Sequence, residues 1–533
     1  MGKKVVVVGA GIGGLSAAIR LQHAGYSVEI YEKQSMPGGK MHQIREQGFT
    51  FDVGPTLVMM PSIYQDIFRL CDRNPDDYIP MTRLDPMYEV FFEGSPMRHY
   101  AINNNLPDLM KLVESKGPEN AKGFLDYLST LYTRYQVAYQ HFITRPFRHR
   151  RDIYNPYMLV QAMKLKTFDS ADHLMAQFMP DQDLQRMLSF QTLYIGVSPT
   201  NGPSLYNIIP MIELLYGIWF IKGGMHTMAE QMARLFEEIG GKIHYNANVQ
   251  RIMTSDDGNQ GKSGDKASGT AQSSGQSEVK GIHVRGIEVT GIEVDGRLVD
   301  APYVVCNADF PYAMKHLIDS PKVRGKYSPK KIDKMDYSCS CLVFYWGVKG
   351  TYDKLSTHNF VISSQYDENL RSIFDGTEIQ QPSIYLHIPT QTDTSMAPAG
   401  MSTFYALLPI SELGTAQYEW NEQTVKLYRD KVLEALTQLP GLENLEEDII
   451  FEKVATPQDF EHEFNAYRGA TFGLQPTLRQ SNHWRPQAKA KHCKGLYFTG
   501  SSTHPGAGVP IVMQSGKICA EELRRDEKGD TFE

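Results

Sequence analysis

The first thirty residues run from an apolar stretch through a glycine-rich turn and back to an apolar stretch. Four consecutive valines, Val5–Val8, predict a strand, and the glycines that follow them predict a tight turn. Leu15–Gly25 is rich in good helix formers, and Tyr26–Lys33 returns to a strand pattern that ends in an acid and a lysine. This order predicts a βαβ unit at the start of the chain.

The same reading predicts the elements that follow. Residues 105–190 are mostly helical in pattern and rich in aromatic residues and Met, and Met225–Gly240 predicts a helix before a strand pattern over Lys242–Ile252. Between 311 and 480, the strand patterns CLVFYWGV, SIYLHIP and STFYALLP accompany a helix around Asn421–Leu439. The last sixty residues predict strand, loop and helix.

One segment contains almost no apolar residues. From Ser255 onward the chain consists of Gly, Ser and charged residues, with no large apolar side chain until Val279. Such a segment has nothing to bury, so we predict a disordered insertion in a hairpin between two strands. The motif GIHVR, GIEVT, GIEVD then repeats from Gly281 to Asp295, which is too short for a solenoid and indicates a local duplication within the hairpin.

The longest apolar run is Asn207–Ile221, which is interrupted by Pro210, Glu213 and Gly217. A run of this length is shorter than a membrane span, so a buried helix or the wall of an apolar pocket is favoured over membrane insertion. A cluster of basic residues lies beside Phe147, namely Arg145, Arg148, Arg150 and Arg151. This cluster fits a solvated charge run and a membrane-surface patch equally well.

Composition narrows the class of protein. A chain of 533 residues, 41% of them hydrophobic, exceeds one compact core and predicts two lobes. The net charge of -7, with acids and bases interspersed, gives no reason to expect nucleic acid as a partner. The six cysteines form no C-x-x-C pair, so we expect reduced structural thiols in a cytoplasmic protein and no metal site. The first residues do not resemble a signal peptide.

The turn after the first strand carries candidate chemistry. In Gly9-Ala10-Gly11-Ile12-Gly13-Gly14, the glycines allow a tight turn, close approach of backbone to a pyrophosphate, and packing of helix on strand. Glu32 ends the second strand, where a carboxylate accepts hydrogen bonds from a ribose. The pattern therefore predicts an adenine dinucleotide site.

A second glycine turn follows the acid. It contains Gly38, Gly39 and Lys40, whose ammonium can neutralise phosphate charge, and it precedes the segment Gly48–Val58. This motif resembles that of the flavin enzymes of the amine oxidase and carotenoid desaturase superfamily, where it lies along the pyrophosphate and ribityl chain of FAD. The resemblance makes FAD the favoured cofactor.

A third small-residue loop lies near the end of the chain, in TGSSTHPGAGVP. In that superfamily such a loop returns to close the flavin site, and the helix from about Val509 directs its N-terminal N–H groups at the flavin pyrimidine. Ser501 stands where related proteins usually have an acid, and no Cys follows the glycine, so FAD is expected to be non-covalent. The resemblance implies the following cofactor-binding set: Gly9, Gly11, Gly13, Gly14, Glu32, Lys33, Gly38, Gly39, Lys40, Gly54, Pro55, Val249, Gly500, Ser501, Gly508, Val509 and Met513.

Longer motifs carry a closer resemblance. The segments FTFDVGPTLVMMP, SFQTLYIGVSPTNGPSLYNIIPMIE, FIKGGM, DYSCS and THPGAGVPIV resemble the bacterial carotenoid desaturases of the phytoene desaturase family, most closely the branch that acts on a C30 precursor. This implies successive FAD-dependent desaturation of a hydrophobic polyene, 4,4'-diapophytoene, at the cytoplasmic face of the cell membrane. A terminal-methyl oxygenase or ketolase of the same family, a C40 phytoene desaturase, an amine oxidase and an inactive isoprenoid carrier are the alternatives.

The expected architecture is α/β, with a discontinuous Rossmann-like FAD-binding lobe and a second lobe of mixed β-sheet and helices. The FAD-binding lobe is assigned to 1–70, 222–310 and 480–533, and the substrate-binding, membrane-facing lobe to 71–221 and 311–479. The substrate is a hydrocarbon, so a long apolar channel is required, and Phe190–Ile221 is its candidate lining. No catalytic residue is assigned; Glu213 and His504 are the ionisable residues of first interest.

Overall fold

The structure is a computed structural model that describes residues 2–152, 154–165, 169–257 and 286–529. The predicted disordered insertion lies almost wholly outside the described residues, as does the first copy of the GIHVR repeat. The described strands, in chain order, are β1 Lys4–Val8, β2 Ser27–Tyr31, β3 Gln43–Glu46, β4 Phe49–Asp52, β5 Met81–Arg83, β6 Tyr88–Phe92, β7 Arg98–Ile102, β8 Trp219–Ile221, β9 Lys242–His244, β10 Val249–Thr254, β11 Val289–Val294, β12 Arg297–Asp300, β13 Tyr303–Cys306, β14 Ser340–Lys349, β15 His358–Ile362, β16 Ile384–His387, β17 Met401–Ile410, β18 Ile449–Ala455 and β19 Leu496–Phe498.

The described α-helices are α1 Ile12–His23, α2 Pro61–Arg69, α3 Leu106–Glu114, α4 Pro118–Ala138, α5 Pro156–Leu165, α6 Ala171–Phe178, α7 Gln182–Met187, α8 Ile208–Tyr216, α9 His226–Glu238, α10 Phe310–Tyr312, α11 Pro321–Arg324, α12 Pro329–Ile332, α13 Tyr366–Asp375, α14 Glu422–Leu436, α15 Leu445–Asp448, α16 Pro457–Phe464 and α17 Val509–Glu527. The predicted βαβ unit, the helix-rich region 105–190 and the C-terminal strand, loop and helix are all present.

A five-stranded parallel sheet gathers strands from both ends of the chain. Its strand order is β19-β13-β1-β2-β9, and the predicted βαβ unit supplies β1, α1 and β2. Helix α1 packs against the C-terminal helix α17 so closely that a Cβ on Gly516 would lie 2.6 Å from the carbonyl oxygen of Gly13. The α/β fold class predicted from the sequence is confirmed.

A seven-stranded sheet forms the second layer of strands. Its order is β18-β14-β17-β16-β15-β6-β7, antiparallel except for the parallel pair β15 and β6. Strands β14 and β17 pair over ten residues, and β14 is buried from Ser340 to Val348. Helices α3, α4, α6, α7 and α8, between β7 and β8, pack on the neighbouring core that contains Tyr88, Tyr127 and Phe360.

The apolar run Asn207–Ile221 divides into two elements. Helix α8 covers Ile208–Tyr216, and Gly217 then takes a φ of 77°, which ends the helix and starts strand β8. Glu213 and most of the helix are buried. The prediction of a buried helix is therefore confirmed for the first part of the run, and the second part is a short strand that pairs with β5.

Asp52, at the end of β4, is buried and binds the start of α9. Its carboxylate accepts hydrogen bonds from the backbone N–H groups of Met225 (2.7 Å) and His226 (3.1 Å). Burial raises its pKa to about 6, and these backbone bonds act in the opposite direction. The same contact positions Val53 and Gly54, the residues that follow β4, for the site described below.

Candidate active site

One cavity of about 560 Å³ connects the two sheets. It is lined by the glycine turn after β1, the second glycine turn and the C-terminal loop, and also by residues of the seven-stranded sheet and of helices α4 and α8. Chain segments nearly 500 residues apart in sequence therefore share a single wall.

The glycines of the turn after β1 lie where a side chain would collide with its neighbours. A Cβ on Gly11 would lie 2.6 Å from the amide nitrogen of Asn307, and a Cβ on Gly13 would lie 2.6 Å from its amide oxygen. Gly38 donates its N–H to the carbonyl of Ala10 (3.0 Å), which joins the two glycine turns. Helix α1 has no side-chain cap, so the N–H groups of its first turn are available to an anion.

Glu32 lies at the end of β2, on the wall of the cavity. One carboxylate oxygen accepts the N–H of Ala10 (2.7 Å) and the other accepts the N–H of Gln34 (2.9 Å). Burial raises the pKa of Glu32, and the two backbone hydrogen bonds oppose that rise. A carboxylate oxygen holds more than one hydrogen bond, so both oxygens retain capacity for ribose hydroxyls.

Lys40 occupies a different environment from the one its sequence suggests. Its ammonium donates to the carbonyl oxygens of Thr471 (2.8 Å) and Ala470 (3.4 Å), and burial lowers its pKa. Lys40 lines the cavity, and its ammonium has a third N–H donor besides these two bonds. The charge of Asp309 acts in the opposite direction and raises the same pKa.

The C-terminal loop is held in place by a buried arginine. The guanidinium of Arg485 donates to the carbonyl oxygens of Ser501 (2.6 Å) and Thr503 (3.1 Å), and it also bonds the carbonyls of Leu474 and Gln480. Burial lowers the pKa of Arg485 to about 10. The backbone carbonyl of Ser501 thus helps to fix the loop. Gly500 and Gly508 in the same loop have positive φ. Helix α17 starts at Val509 without a side-chain cap.

Most of the predicted cofactor-binding residues meet in this cavity. Those that line it are Gly9, Gly11, Gly13, Glu32, Lys33, Gly38, Gly39, Lys40, Gly54, Pro55, Val249, Gly500, Ser501, Gly508 and Val509. Gly14 and Met513 do not line it. A Cβ on Gly14 would lie 2.2 Å from the carbonyl oxygen of Gly9, so Gly14 serves the packing of α1 on β1. Met513 is in the core, where its carbonyl accepts the hydroxyl of Ser16 (2.8 Å).

Sequence reasoning missed two residues that shape the site. Asn307 follows β13 at the carboxyl end of a parallel strand, where ligands bind in sheets of this type, and its amide borders Gly11 and Gly13. The signal was available in the strand pattern YVVC before Asn307. Arg485 gave no local signal, because its partners are backbone carbonyls of three other segments.

The rest of the cavity wall is largely apolar. The predicted stretch contributes Phe190 from its first turn and Ile212 from α8, so its first part lines the cavity as expected, whereas residues 213–221 do not. Other apolar and aromatic side chains complete the wall. They include Leu57, Met60, Tyr139, Ile143, Phe360, Ile384, Tyr385, Tyr405 and Leu407. This part of the cavity suits a long hydrocarbon that has no polar group.

Neither ionisable residue of first interest reaches the cavity. His504 is buried, its Nε2 lies 2.9 Å from the carbonyl oxygen of Arg145, and burial lowers its pKa to about 4. Glu213 is fully buried behind the wall formed by Tyr194 and Ile212. Its carboxyl lies 3.3 Å from the side-chain nitrogen of Gln191, and burial raises its pKa to about 8.

The buried carboxyl of Glu213 leads to a prediction about how the stability of the protein depends on pH. The folded protein keeps its proton up to about pH 8, whereas the unfolded chain releases it near pH 4.5, so its contribution to stability falls as pH rises between these values. We expect Glu213→Gln to remove this dependence. In urea unfolding from pH 5 to pH 8, wild-type stability should decline relative to the variant by up to about 1.4 kcal/mol per pH unit. Parallel profiles for the two proteins would show that Glu213 is ionised in the fold.

The described residues fit the flavin dinucleotide that the motifs predict. Glycines with no room for a Cβ, two uncapped helix N-termini and a buried carboxylate at a strand end border one cavity. All six cysteines are buried and free of disulfides. Within the described part of the chain, no helix is long and apolar enough to cross a membrane.

Comparison with known proteins gives consistent matches over nearly the whole chain. The model of the family described as flavin containing amine oxidoreductase matches residues 12–524. The 4,4'-diapophytoene desaturase (4,4'-diaponeurosporene-forming) of Staphylococcus haemolyticus is 38% identical over 524 residues, which cover 98% of this chain and 99% of that protein. The protein of the same name from Staphylococcus aureus strain Newman is also 38% identical, over 526 residues and the same shares of both chains.

Solved structures show the same fold at low sequence identity. An oxidoreductase from Methanosarcina mazei has a TM-score of 0.62 at 16% identity, covering 97% of this chain and 100% of that one. Putrescine oxidase bound to putrescine has a TM-score of 0.58 at 15% identity, covering 98% and 99% of the two chains.

Proposed function

The chain belongs to the family of flavin-containing amine oxidoreductases, and we propose that it desaturates the C30 polyene 4,4'-diapophytoene to 4,4'-diaponeurosporene. It is an oxidoreductase whose cofactor is FAD. The observation that carries the proposal is the continuity of one cavity from the glycine turns of the dinucleotide site into an apolar channel. The relatives that are 38% identical over nearly the whole chain bear the name of this reaction.

The channel explains how a hydrocarbon is bound. A polyene has no hydrogen-bonding group, so its affinity comes from burial of apolar surface, at about 25 cal/mol per Å². Side chains such as Phe190, Leu193 and Ile209 supply that surface. A charged amine is bound best beside a carboxylate, and Glu213, the acid of helix α8, does not line the cavity. The wall therefore favours the polyene over an amine substrate.

FAD supplies the oxidation by accepting a hydride from carbon. The protein binds the polyene, aligns it with the cofactor and excludes water from the reacting carbons. We propose that the predicted cofactor-binding residues that line the cavity hold FAD without a covalent bond. We further propose that 1–70, 222–310 and 480–533 form the FAD-binding lobe, which contains every strand of the five-stranded sheet, and that 71–221 and 311–479 bind the substrate.

A reconstituted assay tests the activity. Purified protein with FAD is mixed anaerobically with liposomes that carry 4,4'-diapophytoene, and the flavin absorbance near 450 nm and the product mass are followed. Bleaching of the flavin with loss of two hydrogens per step is expected. Gain of oxygen when 4,4'-diaponeurosporene is offered in air would identify a terminal-methyl oxygenase instead, and a preference for the C40 substrate would identify a phytoene desaturase.

We also propose that the protein binds the inner face of the cell membrane through helix α5. Its outer face exposes Tyr157, Leu159, Val160 and Met163, and Met163 is 65% exposed. Tyr154 and Trp484 lie beside it with their rings 6.3 Å apart, and both ring types are enriched at membrane interfaces. A free hydrocarbon substrate dissolves in the bilayer, so a lipid surface is the partner that this patch fits best.

The inner side of α5 connects this surface to the cavity. Met158 and Leu165 pack with Phe142 and Phe147, and Ile143 packs on the same cluster while lining the cavity. The exposed face is therefore one layer of side chains away from the channel. This supports transfer of the polyene between the membrane and the cavity along α5.

The membrane surface yields a prediction. We expect the double variant Leu159→Glu, Met163→Glu to bind liposomes about 10-fold to 100-fold more weakly, because each apolar side chain contributes about 1.5 kcal/mol or more on burial. Liposome flotation measures the effect. Leu298→Glu is the matched control, since Leu298 is 67% exposed on β12, far from α5 in sequence. Equal losses in both proteins, or none in the double variant, would contradict the assignment of this surface.

A further inference from the structure

A chain of hydrogen bonds leads from the cavity into the core of the seven-stranded sheet. The hydroxyl of Thr56 and the phenol of Tyr385 are 2.5 Å apart, and the phenol oxygen lies 2.8 Å from Nδ1 of His358. Thr56 and Tyr385 line the cavity, whereas His358 is fully buried behind them. The three residues come from distant segments, so the arrangement exists only in the folded protein.

These hydrogen-bonded residues lie where the cofactor site meets the channel. Thr56 directly follows Gly54 and Pro55, which belong to the predicted FAD set, and all three line the cavity. The ring of Tyr385 packs on Phe360, with centroids 4.9 Å apart, and Phe360 lines the apolar part of the same cavity. The phenol is thus a polar group in a wall that is largely suited to hydrocarbon.

The ring nitrogens of His358 make no hydrogen bond with the backbone of the sheet among the described residues. Its Nε2 has no hydrogen-bond partner among the described residues, and its ring stacks on His387 with centroids 4.8 Å apart. His387 differs, because its Nδ1 lies 3.0 Å from the carbonyl of Thr357. No carboxylate is bonded to either ring in the described part of the chain, so His358 is a neutral base next to a phenol.

We propose that Tyr385 is a catalytic residue that takes the proton released in each desaturation step and relays it to His358. This inference rests on the proposed function. In the step, one carbon loses a hydride to FAD, and the neighbouring carbon loses a proton to the phenol oxygen of Tyr385. The electron pair of the second C–H bond becomes the new C=C bond, and the phenol passes its own proton to Nδ1 of His358.

The basicity of His358 suits this task. Loss of a hydride leaves an allylic cation, which is a strong acid, so a weak base is sufficient to complete the double bond. Burial and the neighbouring His387 lower the pKa of His358 well below its ordinary value, which keeps the ring unprotonated before the reaction. The same low basicity favours return of the proton through the phenol of Tyr385 to the cavity, which Tyr385 lines, before the next step.

The test compares two substitutions in the relay with a matched control. Tyr385→Phe keeps the ring and removes the hydroxyl, and His358→Gln keeps a polar side chain and removes the base. We expect each to lower kcat for desaturation about 100-fold, with unchanged KM and FAD content. Polyene deuterated at the carbon that loses the proton should show a larger isotope effect on kcat in both variants, because proton loss becomes rate-limiting.

Tyr428→Phe is the control, because Tyr428 is also a fully buried phenol whose hydroxyl accepts a hydrogen bond, from the N–H of Ile379, but it lies outside the cavity and outside the relay. A Tyr385→Phe enzyme with wild-type kcat, or a loss of rate shared equally by Tyr428→Phe, would overturn the relay. Failure of the proposed function is distinguishable, since the wild-type protein would then not desaturate the polyene at all.

Discussion

Replacement of Gly11 by valine is expected to abolish binding of FAD at micromolar concentration. A Cβ at this position would already lie 2.6 Å from the side-chain nitrogen of Asn307, and the two methyl groups of valine would occupy the space at the start of α1. Overpacking of this kind costs about 3 kcal/mol, which corresponds to at least a 100-fold loss of affinity. The affinity is measured by titration of the purified apoprotein with FAD, followed by quenching of flavin fluorescence.

The matched control for this experiment is Gly286→Val. Nothing lies within 4 Å of a Cβ at Gly286, and its backbone has an ordinary conformation, so valine is tolerated there. Both variants should fold, which thermal unfolding of the apoproteins checks. FAD binding by Gly11→Val at wild-type strength would show that the turn after β1 does not hold the cofactor.

Replacement of Ile209 by glutamate is expected to lower desaturase activity at least about 100-fold while leaving FAD content unchanged. Ile209 lines the apolar part of the cavity from helix α8. A glutamate there is hydrated in the empty channel, and binding of a hydrocarbon would strip that water from an unpaired carboxylate at a cost of several kcal/mol. Product formation per bound flavin, determined by chromatography, measures the effect.

Ile209→Leu separates charge from shape. The two side chains have the same volume, so activity within a few fold of wild type is expected for leucine. An Ile209→Glu protein that desaturates the polyene normally would mean that the substrate binds elsewhere. A protein that loses FAD as well would mean that α8 supports the cofactor and not the channel.

The local parts of the architecture were readable from the sequence because their signals are local. The valine strand, the glycine turn and the acid at Glu32 lie within thirty residues, and their spacing alone predicts the βαβ unit. The C-terminal loop was predicted from its glycines together with a family resemblance. Its partner in space, the first glycine turn, is nearly 500 residues away, so periodicity could not have joined the two.

Other features depend on contacts that no sequence pattern carries. The ammonium of Lys40 donates to the carbonyls of Ala470 and Thr471, and no pattern around Lys40 indicates these partners some 430 residues away. Glu213 was a candidate for acid–base chemistry, yet the rotation of α8 turns it away from the cavity while Ile209 and Ile212 face it. Its helix was predictable, but the side of the helix that faces the ligand was not.

The chain of Thr56, Tyr385 and His358 is the clearest case of this limit. Thr56 lies on a loop in a motif of the family resemblance, about 300 residues before the two strands that carry His358 and Tyr385, and neither of those two residues belongs to such a motif. Only the pairing of β15 with β16 brings the histidine next to the tyrosine. Reactive side chains that are brought together by strand register in this way can be identified only from the fold.

The central claim is that this chain removes hydrogen from a C30 polyene. The most direct test is expression of the chain in cells that accumulate 4,4'-diapophytoene, followed by extraction of the pigment and determination of its absorption spectrum and mass. We predict yellow products that are lighter than the precursor by successive pairs of hydrogen atoms. An unchanged colourless precursor, in cells where the protein is present and carries FAD, would contradict the claim.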